Sequence, residues 1–120
     1  MDEESIRSTV QTAPSGSVLS VDLEIPLTII KQAVRQFGKC GIPIVLDPSP
    51  FERLDEELLE SGWYLSSNQS EAQRLTKIPI ENPDQAPEAA SGLMKHGNKG
   101  VCVKLGRGGC AIVTTDVQFV

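Results

Sequence analysis

Short apolar runs recur along the chain, each too short for a core-spanning helix, and amphipathic stretches separate them. The runs lie at 18–25, 42–46, 63–65 and 101–105, and their β-branched, turn-bounded composition reads as buried strands. The run at 42–46 is continuous, as in a parallel strand with helices over both faces. From 27 to 40, Ile30, Ala33, Val34 and Phe37 recur at helical spacing with Lys31, Arg35 and Lys39 elsewhere, and glycines at 38 and 41 mark the end. Beyond the prolines of Asp47-Pro48-Ser49-Pro50, Leu54, Leu58 and Leu59 mark a short helix before Gly62. Residues 77–84 form a proline-bearing connector. Ala86, Ala89, Ala90, Leu93 and Met94 then predict a helix over 87–97 that starts near Pro87 and is capped by Gly97. This alternation predicts an α/β fold, a mostly parallel sheet with flanking helices and right-handed connections. The loop Gly106 to Gly109 is too short for a parallel crossover, so 101–105 and 111–114 are expected to close the sheet with an antiparallel hairpin. Residues 117–120 alternate as a sixth strand would.

With 120 residues, 39% of them hydrophobic, one core is expected: a polar N-terminal segment over 1–17, no more than a frayed helix and a loop, then an α/β domain over 18–120. A net charge of -5 and the absence of any Lys/Arg cluster argue against nucleic acid and anionic membrane as partners. No apolar run approaches a membrane span, and the acidic start Met1-Asp2-Glu3-Glu4 is unlike a signal peptide, so a cytoplasmic location is expected. Cys40, Cys102 and Cys110 show no C-x-x-C pairing and read as small buried hydrophobes.

Parallel order places the carboxyl end of each strand on one edge, where open α/β sheets bind ligands. Asp22 and Glu24 end the first run, Asp47 the second, Asn68 the third, and the Gly106–Gly109 loop follows the fourth. Asn68-x-x-Glu71 puts an amide and a carboxylate about one helical turn apart, which suits a metal ion beside a phosphate. The same spacing is a helix-capping pair, and from spacing alone the cap is the favoured reading. Glu24 and Asp47 are equally ordinary as a surface acid and a turn initiator. Gly106-Arg107-Gly108-Gly109 lacks the Lys-Ser/Thr ending of a P-loop and reads as a hairpin turn. His96, at a helix end, is assigned no role.

Leu23-Glu24-Ile25-Pro26, Asp47-Pro48-Ser49-Pro50, Leu54 through Leu59, Asn68-Gln69-Ser70-Glu71-Ala72 with Leu75-Thr76, and Leu105-Gly106-Arg107-Gly108-Gly109 occur in an order that resembles the PfkB family of ribokinase-like sugar kinases, over about 18–120. The resemblance implies a partial ribokinase-like domain that serves ATP-dependent phosphorylation of a small sugar. It implies nucleotide contacts from Asn68, Lys104, Gly106, Arg107 and Gly109, a magnesium role for Glu71 through water, and a sugar contact from Glu24. Lys104 stands where the family's Thr-Leu-Gly-x-x-Gly motif has threonine. An N-terminal sugar-binding half and a Gly-Ala-Gly-Asp segment with the catalytic base are expected in the family and do not occur here. No catalytic residue is therefore assigned, and the isolated chain is expected to be inactive. The alternative is a noncatalytic α/β module that binds nucleotide or a partner. Sheet edges near Val18 and Val120 are expected to be unpaired and prone to self-association.

Overall fold

The computed structural model describes residues 2–106, 108–115 and 118–119, the last two through their backbone. Strands β1 (Leu19–Val21), β2 (Ile44–Leu46), β3 (Tyr64–Asn68), β4 (Gly100–Lys104), β5 (Cys110–Thr114) and β6 (Gln118–Phe119) form one sheet whose spatial order follows the chain. Pairs from β1 to β4 are parallel, and the β4–β5 and β5–β6 pairs are antiparallel. Helices α1 (Glu3–Thr12), α2 (Leu27–Lys39), α3 (Glu56–Ser61), α4 (Gln69–Thr76) and α5 (Ala86–Leu93) precede the sheet or fill its parallel connections. A short 3-10 turn, Met94–His96, extends α5 until Gly97, at φ +89°, ends it.

Right-handed crossovers that all step in one direction deliver every helix to one face of a sheet. The side chains follow that rule. Register aligns Val21, Leu46, Leu65, Val101 and Val113 in one row, all buried, in one core with Ile30 and Val34 of α2, Leu58 and Leu59 of α3, and the alanines of α5. Each such side chain contributes roughly 1.5–3 kcal/mol when fully buried. The adjacent row, Ser20, Val45, Tyr64, Gly100 and Thr114, lies on the opposite face, where Ser20 and Tyr64 are exposed and Val45 and Thr114 half-buried. The expectation that helices cover both faces of the 42–46 strand therefore fails among the described residues, because the strand order never reverses. Gly100 is buried on this open face beneath Tyr64: a Cβ there would sit 3.0 Å from the ring.

The N-terminal stretch is more ordered than expected. Asp2 caps α1 by accepting from Ser5 N–H at 2.8 Å, and Ile6 and Val10 bury against Phe37 of α2 in a second small core. The first strand is shorter than the run 18–25, since Asp22 Oδ1 accepts from Glu24 N–H at 3.1 Å and turns the chain after Val21. The cysteines also differ from expectation: Cys40 is exposed, and Cys102 and Cys110 are half-buried, all as free thiols. Among the described residues no helix is long and apolar enough to cross a membrane.

Candidate functional site

The site begins where β3 passes into α4. Asn68 ends the strand and caps the helix, its Oδ1 accepting from Glu71 N–H at 2.8 Å, while Glu71 Oε1 accepts from Asn68 N–H at 2.9 Å. This reciprocal box satisfies helix donors that otherwise lack partners. It also fixes the Asn68 amide. With Oδ1 committed to the helix, the remaining polar group of this exposed side chain is Nδ2, a donor. Glu71 is only 6% exposed, and its Oε2 has no partner among the described residues.

Parallel register places Lys104 of β4 beside Asn68, and the hairpin sets Lys104 opposite Cys110. The ammonium of Lys104 lies 3.5 Å from Asp47 Oδ2 at the end of β2, an exposed pairing worth little. Leu105 then opens the turn: its carbonyl accepts from Gly108 N–H at 3.2 Å, and its N–H donates to the Gly109 carbonyl at 3.1 Å. Gly108 and Gly109 hold φ of +86° and +83°, which a side chain would strain. Arg107 lies outside the described residues.

Between the turn and α4 lies a cleft of about 530 Å³, with Leu105, Gly106 and Gly108 on one side and Gln69 and residues 81–83 on the other. The second wall was not anticipated from the sequence. Gln69 Nε2 donates to the Ile80 carbonyl at 2.7 Å, and Gln73 Oε1, one turn on, accepts from Ile80 N–H at 2.6 Å. Gln85 Oε1 accepts from Glu81 and Asn82 N–H, so three side-chain amides fix this loop. The spacing of Gln69 and Gln73 on one helix face was the available signal. It says nothing about which loop they hold.

The structure thus gathers Asn68, Glu71, Lys104, Gly106 and Gly109 at the carboxyl edge of β3 and β4. Of these only Gly106 lines the cleft itself, and Glu24 stands apart, exposed beyond β1 at the far edge of the sheet. His96 lines a separate depression with Phe51 and Leu54. Among the described residues no three His, Cys, Asp or Glu side chains cluster to hold a metal.

The class these elements define is a one-sided, mostly parallel α/β sheet with a capped helix, a lysine and a glycine turn at its carboxyl edge. Comparison with known proteins narrows it. Residues 7–120 match the pfkB family carbohydrate kinase pattern. The chain is 35% identical to a ribokinase of Arabidopsis thaliana over 82% of its own length and 26% of that protein, and 33% identical to a ribokinase of Haemophilus influenzae over 86% and 33%. It is similar to the solved structure of Arabidopsis thaliana ribokinase complexed with ribose and ATP, with a TM-score of 0.77 at 32% identity, over 98% of this chain and 37% of that one. The chain belongs to the pfkB family of carbohydrate kinases, and its sheet is that of the ribokinase fold. It spans about a quarter to a third of the length of these curated relatives.

Proposed function

We propose that this chain is the nucleotide-holding part of an ATP-dependent sugar kinase, acting on ribose or a related small sugar in the cytoplasm. The observation that supports it most is the pairing of Asn68 with Lys104 across β3 and β4, beside the glycine turn. Asn68 donates from Nδ2 to a phosphate oxygen. Lys104 supplies a point charge in place of the threonine hydroxyl, on release from Asp47. Gly106 and Gly109 line the nucleotide through the turn, where only a small backbone allows close approach, and Arg107 is assigned to the nucleotide by resemblance to the family. Glu24, remote from this cleft, is assigned to the sugar by resemblance to the family.

Magnesium fits here in one way. With Oε1 held in the cap and no acidic cluster among the described residues, Glu71 offers one free oxygen, enough to accept from the hydration shell of an ion carried by the phosphates but not to build a protein cage. Such an ion neutralises phosphate charge in phosphoryl transfer. The residues of this chain bind and orient. No Gly-Ala-Gly-Asp segment with its base occurs among the 120 residues. General-base catalysis alone is typically worth about 10² to 10⁴-fold, so the isolated chain transfers no phosphate. Incubation with radiolabelled ATP and ribose or fructose tests this: sugar phosphate above a no-protein control overturns it by revealing a base within the chain. A noncatalytic nucleotide- or partner-binding module is the second reading. The translated reading frame on both sides of the chain separates the two.

A further inference from the structure

Two adjoining places share the carboxyl edge of the sheet, and their chemistry differs. Asn68 and Lys104 are paired across β3 and β4. Gln69 follows the first and Leu105 the second, and these two stand on opposite walls of the cleft. A ligand with phosphates against Asn68 and Lys104 therefore has the cleft one residue away, about 3.8 Å along each chain. The cleft itself does not suit phosphate. Glu81 carries the only charge among its described lining residues, and that charge is negative. Apolar surface comes from Leu105 on one wall and Pro83 on the other, and the volume of about 530 Å³ lies within the roughly 300–1,000 Å³ typical of small-molecule sites.

The wall that carries Glu81 is fixed in place, yet its polar side chains keep spare capacity. Ile80 is held through both backbone groups by Gln69 and Gln73, and the N–H groups of Glu81 and Asn82 are held by Gln85. Glu81 joins these bonds through its backbone alone, so both carboxylate oxygens are without a partner among the described residues. Asn82 Oδ1 accepts from Asp84 N–H at 3.0 Å, which leaves Nδ2 as a donor. Acceptors with spare capacity, set beside a phosphate edge, match an uncharged group that carries hydroxyls.

We propose that the cleft is the nucleoside site of the phosphate donor, in which the Glu81 carboxylate accepts hydrogen bonds from the two vicinal hydroxyls of the ribose. This deepens the kinase reading and rests on it. A carboxylate meets both hydroxyls of a diol through its two oxygens, and its charge makes such bonds roughly twice as strong as neutral ones. Dinucleotide-binding folds use an acidic side chain on their ribose in the same way. Glu81 thereby determines which donor is taken. A ribonucleotide is held, whereas inorganic polyphosphate lacks the diol and a 2′-deoxynucleotide offers half of it. The acceptor sugar also carries hydroxyls, but Glu24, assigned to it above, lies at the far edge of the sheet.

The test follows the backbone amides of the isotope-labelled full chain with four separate probes: adenosine, 2′-deoxyadenosine, ribose and inorganic triphosphate. Adenosine should shift Gln69, Glu81, Asn82 and Gly108 and bind about tenfold more tightly than 2′-deoxyadenosine, the effect of one hydrogen bond to a charged group. Ribose at the same concentration should leave those amides in place. Glu81→Ala should remove the preference between the two nucleosides while thermal unfolding stays unchanged, because the residue is exposed and its carboxylate holds no other described group. No adenosine response at Glu81, equal binding of both nucleosides by the parent chain, ribose shifts that match those of adenosine, or a preference that survives Glu81→Ala overturns the proposal. Inorganic triphosphate should shift Asn68 and Lys104 without moving Glu81 or Asn82. Triphosphate shifts without an adenosine response sink the nucleoside site alone, whereas an adenosine response without triphosphate shifts sinks the phosphate edge and leaves the cleft standing.

Discussion

Replacing Asn68 by aspartate separates the cap that the structure shows from the ligand contact proposed above for the same side chain. The helix cap uses Oδ1, which accepts from Glu71 N–H at 2.8 Å, and the proposed ligand contact uses Nδ2. Aspartate keeps an acceptor in the capping position and caps as well as asparagine does, so folding stability should hold within about 0.5 kcal/mol. Asn68→Ala, by contrast, loses the cap at about 1 kcal/mol. With an unfolding entropy of about 2.1 cal/mol/K per residue, that lowers the Tm by about 4 °C for a chain of this length. Binding should move the other way round. A hydrogen bond to a charged group contributes about 1.5–3 kcal/mol, so loss of the Nδ2 donor weakens ATP binding about 10- to 100-fold. The introduced carboxylate also places a negative charge against the phosphates. The assay pairs thermal unfolding by circular dichroism with ATP titration followed by amide shifts, on wild type and both variants. An aspartate variant that binds ATP as wild type does would refute the donor role and leave Asn68 as a cap alone.

Other perturbations test the same structure. Glu71→Gln keeps an oxygen for the Asn68 N–H and so preserves the cap, but it should shift the magnesium dependence of ATP binding to higher concentration; an unchanged dependence leaves Glu71 no role beyond the cap. Gly100→Ala puts a methyl 3.0 Å from the Tyr64 ring and should destabilise the fold by about 1–3 kcal/mol in thermal unfolding. In a Tyr64→Ala background most of that cost should vanish, and equal costs in both backgrounds would show that the contact is not its source. The Asp55 carboxyl is held below its ordinary 3.8, first by Lys31 and then by Leu58 N–H at the α3 cap. Because its folded pKa is depressed, its contribution is present above pH 3.8 and is lost as pH falls through the lowered value. Asp55→Asn should therefore flatten the acid side of the Tm profile, and a profile of unchanged slope would contradict the assignment.

The alternation of strand and helix, the antiparallel hairpin and the helices around Val34 and Ala90 were legible because each rests on local periodicity and turn chemistry. What escaped was tertiary. Ile6 and Val10 are a thin apolar stripe that becomes a helix face only because Phe37 and Ala33 lie opposite. The open face of the sheet follows from strand order, and Val45 carries no sign of whether a helix lies above it. At the site, Asn68 and Glu71 were readable as a pair, and the structure shows the cap, which leaves other atoms of the same side chains for the proposed ligand contact. The cleft wall held by Gln69 and Gln73 was invisible because Ile80 lies within a connector whose path no periodicity sets.

The central claim is that the carboxyl edge of β3 and β4 holds ATP. Titrating the isotope-labelled chain with ATP and magnesium while following its backbone amides addresses that claim directly. The account predicts shifts concentrated at Asn68, Glu71, Lys104, Gly106 and Gly109, with a dissociation constant of about a millimolar or weaker, roughly -4 kcal/mol. Shifts confined to the depression around His96 and Phe51, or none up to saturating ATP, would contradict it.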